Sequence, residues 1–341
     1  MYKEYVHLFR GVSILMIIGS HVVGSMTWEN APVLQRILES LLYDCSIWFL
    51  IISGFLFRHL IGRKSYLDFV MGKVKRVLLP YVVLSIPAML WIVSTGYMHS
   101  IPEELARLPV VQRVMSLYVT GMHLGPYWFM PMMFVFFVLA PLFIYMDKKP
   151  WAYICIIPLG VVTYMTDRNF IQTQFNDQLL MRPVGNCLHY ASVFIFGMMI
   201  SKYEDRFKVF MEYAHPVLMS LCVVLLYFMV VPKSFCYQLN SLFKMMVAVF
   251  VLYALSAQTV PNCCKNGLSF LGSISFGMYF VHGYLIGTGR YFWRKYISYT
   301  LPSGDIAMYL MSVAVVVALS AAVILGMKKV LGNYSRYVVG C

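Results

Sequence analysis

The chain has 341 residues, of which 60% are hydrophobic and 12% charged, with mean hydropathy +0.73. Soluble domains carry roughly 25% charged residues, so a single water-soluble globule is excluded. The formal charge of +13 would suggest nucleic acid in a soluble protein, but in so apolar a chain its meaning depends on where the charges fall.

Apolar runs lie at roughly 7–26, 41–57, 78–97, 126–146, 151–166, 187–201, 215–231, 238–257, 268–288 and 305–326. At about 20 residues per span they predict an all-α polytopic membrane bundle of about ten helices. The first run is too polar at Arg10 and His21, and too poor in small residues at its end, to be a cleaved leader, so it counts as a helix. With the N-terminus cytoplasmic, the inner loops collect about sixteen Lys and Arg, including Arg58, Arg63, Lys64, Lys73, Lys75 and Arg76, against about nine outside. Both termini are therefore expected in the cytoplasm. The weak point is the 289–304 loop, whose Arg290, Arg294 and Lys295 face outward.

The outer connections at roughly 98–125 and 167–186 hold His99 and His123 and are long enough to help cover a site. No repeat or Gly/Ser linker divides the chain, so residues 1–341 read as one membrane domain. The eight cysteines form no CxxC or Cys/His cluster, so no metal is expected, and Cys341 lacks a prenylation box.

Ionisable groups within the spans carry the functional signal, because a charge in hydrocarbon costs a few kcal/mol and seeks a cavity or a partner. They are Arg10, His21, Asp44, His189, Lys244 and His282. Arg10 and His21 are separated by about 1100° of helix rotation, so they share a face, and by about 16 Å along the axis. A permanent cation at the cytoplasmic boundary with an imidazole deeper in suits an anionic reactant that enters from inside, with arginine as phosphate anchor and histidine as base. The plainer alternative has Arg10 snorkelling to headgroups and His21 satisfying a carbonyl. Lys73 and Arg76, one helical turn apart, form either a cytoplasmic mouth for a polyphosphate or a topology signal. Lys244 is either a counter-ion for Asp44, a substrate contact, or a snorkelling side chain. His189 and His282 read first as core histidines. Trp28, Trp128 and Trp293, near outer ends, are the aromatics to examine for sugar contact. Walker A, GxGxxG, GxSxG and HExxH patterns are missing, which removes ATP hydrolysis, zinc proteolysis and the usual serine hydrolase chemistry.

Five segments, in order, resemble the acyltransferase-3 family of bacterial integral membrane acyltransferases. Arg10 through His21 looks like its Arg-x10-His first helix. Trp48-Phe49-Leu50-Ile51-Ile52-Ser53-Gly54-Phe55 is similar to its aromatic second helix. Lys73 to Arg76 with Pro80-Tyr81 resembles its Arg-x-x-Arg element. Trp128-Phe129 with Pro141 resembles a later helix, and Gly272-Ser273-Ile274-Ser275-Phe276 with Tyr279 and His282 resembles another. Lys73 departs from arginine and loses bidentate phosphate geometry, and Phe276 replaces a tyrosine.

The resemblance implies transfer of an acyl group, most often acetyl from acetyl-CoA, to a hydroxyl of a cell-envelope glycan or glycan lipid in the bacterial inner membrane. On that reading Arg10, Lys73 and Arg76 bind the coenzyme phosphates and His21 is the catalytic base. His282, Lys244, Trp128, Ser53 and Tyr279 are further candidates. The partners are acyl-CoA, a carbohydrate acceptor and membrane lipids, with no nucleic acid. A carrier or flippase for an acyl donor or glycan lipid is the alternative, distinguished by making no acylated product; a scaffold of the same fold would not bind coenzyme.

Overall fold

A computed structural model describes residues 3–60, 65–95, 102–166, 179–231, 236–257 and 260–341. Arg63, Lys64, His99, Arg168 and Lys233 lie outside them. The principal helices are α1 (Glu4–Val23), α2 (Pro32–Leu42), α3 (Ser46–Leu60), α4 (Tyr66–Lys73), α5 (Leu79–Thr95), α6 (Val110–Thr120), α7 (Phe129–Val138), α8 (Ala140–Asp147), α9 (Ile156–Met165), α10 (Arg182–His189), α11 (Ala191–Lys202), α12 (Glu204–Val230), α13 (Cys236–Ala257), α14 (Asn262–Tyr296) and α15 (Ile306–Leu331). Among the described residues a single isolated bridge, Thr27 with Ser303, is the only β pairing.

Eight helical segments are long and apolar enough to span a membrane, and a ninth arises if Val110–Thr120 and Gly125–Val138, bent by 71°, form one span. Pro150–Met165 is a shorter apolar helix. This is the expected all-α polytopic bundle, with two refinements. The stretch expected as an outer loop at 98–125 contains α6, and the run expected at 126–146 breaks at Leu139 between α7 and α8. α12 buries only Met211 and Met229 and exposes Tyr213, Val217, Leu221, Val223 and Tyr227. So large an apolar face needs lipid around it.

The chain forms two compact units, Met1–His59 with Val193–Leu325, and Leu60–Ser192 with Gly326–Cys341. In the first, α1 packs chiefly on α14. The lipid bilayer gives little hydrophobic drive between helices, so close backbone approach through small residues does the work. A Cβ on Gly11 would stand 2.2 Å from the Leu268 carbonyl oxygen, and one on Gly272 would stand 2.5 Å from that of His7. The same arrangement joins α3 to α11, where Gly54 faces the Phe194 carbonyl and Gly197 faces that of Ile51. Trp48 stacks on Phe9 at 5.2 Å and donates its indole N–H to the Lys244 carbonyl at 3.1 Å. Trp28, 4% exposed, donates to the Val23 carbonyl and lies against Gly304.

In the second unit, α5 and α6 are joined by a polar knot whose Tyr81, Ser85 and His123 are buried. Tyr81 Oη donates to the Tyr118 carbonyl at 2.7 Å and Tyr118 Oη to that of Val82 at 3.2 Å. His123 contacts the Leu117 carbonyl through Nδ1 at 3.0 Å and Ser85 Oγ through Nε2 at 2.8 Å. At φ +69°, Gly121 ends α6 where a Cβ would meet the Tyr127 carbonyl at 2.5 Å. His123 is thus a core residue rather than part of an outer cover. His189 is one too, its ring bonded to Thr166 Oγ1 and its carbonyl to Thr163.

Candidate functional site in the first unit

α1 and α14 run side by side in the same direction, and each brings two site residues to the contact. Arg10 Nη2 donates to Ser275 Oγ at 3.1 Å, and Ser275 Oγ donates to the Gly272 carbonyl at 3.0 Å. About three helical turns deeper than Arg10, the α1 face passes Ile14 and Ile17 and reaches His21, whose ring centroid is 5.2 Å from that of His282. Arg10 and His21 therefore share the face turned to α14, as their spacing predicts.

His282 is completely buried. Its Nδ1 lies 3.0 Å from the Met278 carbonyl. A carbonyl only accepts, so Nδ1 carries the proton and Nε2 keeps its lone pair in the neutral ring. That Nε2 has no hydrogen-bond partner among the described residues. A buried acceptor left unfilled costs about 1–3 kcal/mol, which a ligand hydroxyl or an N–H of His21 would recover. Tyr279, 1% exposed, packs its ring 5.9 Å from His282 and 6.1 Å from Phe49 of α3. Ser53 donates to the Phe49 carbonyl at 2.8 Å, which ties its hydroxyl to its own helix and makes it a weaker candidate for substrate contact.

Arg290 completes the arrangement. α14 continues through Gly287 and Gly289 to Tyr296, so Arg290, Arg294 and Lys295 sit on a helix and not in the expected 289–304 loop. Arg294 and Lys295 in the last turn complement the negative end of the helix dipole. Arg290 Nε donates to Ser25 Oγ at 2.8 Å and its Nη2 to the His21 carbonyl at 3.3 Å. That carbonyl lies in the last turn of α1, where carbonyls are satisfied from outside the helix, and it also accepts from Ser25 Oγ at 3.2 Å, so Arg290 and Ser25 together fix the end of α1 and with it the His21 backbone. Arg290 falls just outside the apolar run at 268–288, which is why it reads as loop; the eight-residue interval from His282 is the available signal.

Lys244 is fully buried on α13 and donates Nζ to the Ser40 carbonyl at 2.5 Å. It does not snorkel outward; it ties α13 to α2. Lys244→Met keeps the stem's volume and removes a charge from the interior, so its melting temperature in detergent is expected within a few degrees of the parent. Lys244→Ala, which also opens a cavity, is expected to cost about 2–4 kcal/mol. A Lys244→Met variant that fails to fold would show that the ammonium itself holds the unit.

The remaining sequence candidates belong to the second unit. Lys73 ends α4 with its ammonium over the Phe137 ring at 4.7 Å and the Phe69 ring at 5.4 Å. Arg76 is exposed on the π-helical turn Val74–Leu78. In that widened turn the two cations are no longer separated by the one regular α turn that the sequence spacing alone suggests. Trp128 ends the 3-10 turn Gly125–Trp128, its ring 5.7 Å from Tyr190. Of the other tryptophans considered for sugar contact, Trp28 is structural, and Trp293 donates to the Thr300 carbonyl at 3.0 Å. No group of His, Cys, Asp and Glu able to hold a metal occurs among the described residues.

The family model described as an acyltransferase domain, that of the acyltransferase-3 family, matches residues 3–325 and so takes in α1 through most of α15. No curated protein and no solved structure matches the chain. With a match over nearly its whole length and a bundle of apolar helices long enough to span a membrane, the chain belongs to the acyltransferase-3 family and is a multi-pass membrane acyltransferase.

Proposed function

We propose that the protein moves an acetyl group from cytoplasmic acetyl-CoA to a hydroxyl of a cell-envelope glycan or glycan lipid, in the bacterial inner membrane with both termini inside. The observation that carries the reading is the pair of imidazoles, His21 and His282, 5.2 Å apart, one of them with a bare buried Nε2, on the helix face that also presents Arg10. Arg10 binds a phosphate of the donor. The pantetheine arm, comparable in extended length to the roughly 16 Å between Arg10 and His21, carries the thioester to the histidines.

The acceptor oxygen attacks the thioester carbon as His21 takes its proton, so a C–O bond forms and the C–S bond breaks. The proton then passes to the departing thiolate. His282 Nε2 accepts a hydrogen bond from His21 or from the acceptor hydroxyl and orients the exchange. Arg290 acts as a positioning residue through the His21 carbonyl. Lys73 and Arg76 belong to the other unit, and their part in binding coenzyme phosphates rests on the family resemblance.

The test is incubation of the purified protein with radiolabelled acetyl-CoA and envelope glycans from a strain lacking the protein. Label in the glycan supports the reading, and binding of donor with no labelled product would favour a carrier. Arg10→Gln is expected to raise KM for acetyl-CoA about 10- to 100-fold, the worth of a charge-assisted hydrogen bond, with a smaller change in kcat. An unchanged KM would remove Arg10 from the donor site.

A further inference from the structure

A groove in the first unit is lined by none of the residues assigned to this chemistry. α11, α12 and α13 enclose a groove of about 450 Å³, within the range of small-molecule sites. Met199, Phe207, Phe210, Leu218, Met245 and Met246 form most of its wall. Of all the residues that line it, only Tyr203 and Arg206 carry polar side chains. Both are at one end, where α11 gives way to α12. Arg206 stands over the Tyr203 ring at 5.9 Å and has no carboxylate partner among the described residues. The nearest acid in sequence on its own helix, Asp205, is exposed, and the Glu204 carboxylate is taken by Lys3 at 3.0 Å and Lys208 at 3.3 Å. Lys202 adds a further cation at this end.

From this we infer that the groove binds one anionic phospholipid, with an acyl chain against the methionines and phenylalanines and its phosphate on Arg206. Depth supports the assignment. Arg206 and Leu218 are twelve residues apart on α12, about 18 Å of helix, which matches one leaflet of a hydrocarbon core about 30 Å thick. His215 of α12 stacks on Tyr253 of the antiparallel α13 at 5.6 Å, which sets Val249 near the level of Leu218 and Leu242 farther from Arg206, so α13 carries the wall onward from Leu218. Unbranched, polarizable methionine side chains conform to an alkyl chain without demanding one pattern of unsaturation. One guanidinium suits a single phosphodiester. A coenzyme, with several phosphates and a polar base, would leave its polar groups unpaired against this wall.

Native mass spectrometry of the full-length protein in detergent, supplied with equal amounts of phosphatidylglycerol and phosphatidylcholine of the same chains, tests the inference. One phosphatidylglycerol is expected to be retained about tenfold over phosphatidylcholine, a preference that Arg206→Gln abolishes. Lys265→Gln, which removes a cation paired with Glu4 on the same unit, is expected to leave the preference intact. Met246→Trp, or Val249→Phe if that variant does not fold, is expected to reduce retention of both lipids by filling the groove. Equal retention of the two lipids, a preference that survives Arg206→Gln, equal loss with Lys265→Gln, or stronger retention of a polyprenyl phosphate would each overturn it. None of these readings uses acyl transfer, so the result is independent of the proposed reaction.

Discussion

Replacing His21 with alanine is expected to lower acyl transfer by about 10²- to 10⁴-fold, the usual contribution of a positioned general base, while the protein remains folded. His21 is partly buried in the last turn of α1, and the contacts that hold that turn go through its backbone carbonyl, which Arg290 and Ser25 reach whatever the side chain. The rate loss should therefore appear in kcat, with acetyl-CoA binding, read by thermal shift, largely kept. His282→Phe fills the same space without the Nε2 lone pair and is expected to lower kcat as well. Because His21 and His282 act on one proton, the double variant should fall less than the product of the two losses. Acid quenching during turnover separates two chemistries: a covalent acetyl label on wild-type protein that disappears in His21→Ala would indicate an acyl-imidazole, and no label indicates direct transfer. Transfer at the parental rate by folded His21→Ala protein would defeat the assignment of the base.

The second large effect concerns the α1–α14 crossing. Gly11→Ala places a methyl 2.2 Å from the Leu268 carbonyl oxygen and 3.0 Å from its carbon, where the obstacle is backbone and cannot rotate away. The helices must separate, and the expected loss is at least the roughly 1–3 kcal/mol of an overpacked core, with Gly11→Leu failing to yield a monodisperse protein. Activity should fall with stability, because displacing α14 also moves Ser275 from Arg10 and His282 from His21. Gly267→Ala on the same helix, where nothing lies within 4 Å, is the matched control and is expected to hold or raise the melting temperature. Equal melting temperatures for Gly11→Ala and the parent would mean that this crossing does not bear on the fold.

Much of the site was legible because a helix converts sequence spacing into position. The interval from Arg10 to His21 alone places both on one face. Two kinds of residue were misplaced. His123 falls in the connection between apolar runs at 98–125 and so reads as a loop histidine, yet Ser85 and the Leu117 carbonyl satisfy its ring in the core. Arg290 lies just past the end of the apolar run at 268–288 and so reads as loop, whereas α14 continues without a break to Tyr296. Lys244 had several open readings, since nothing local to it reveals that the chain turns to bring the Ser40 carbonyl to its ammonium.

Composition and period by themselves determined that this protein is a helical membrane bundle and that its first helix presents a cation and an imidazole in line. Those properties depend only on hydropathy, on 3.6 residues per turn and on residue identity. Tertiary structure alone decided which helix faces Arg10 and His21, that His282 keeps an unfilled nitrogen beside them, that Arg290 secures the end of α1, and that three helices leave a groove beneath Arg206. Each of these joins groups far apart in the chain. Their meeting is set by how closely backbones can approach at glycines such as Gly11 and Gly272 and by which buried carbonyls need a donor, and both are properties of packed neighbours that no single helix carries.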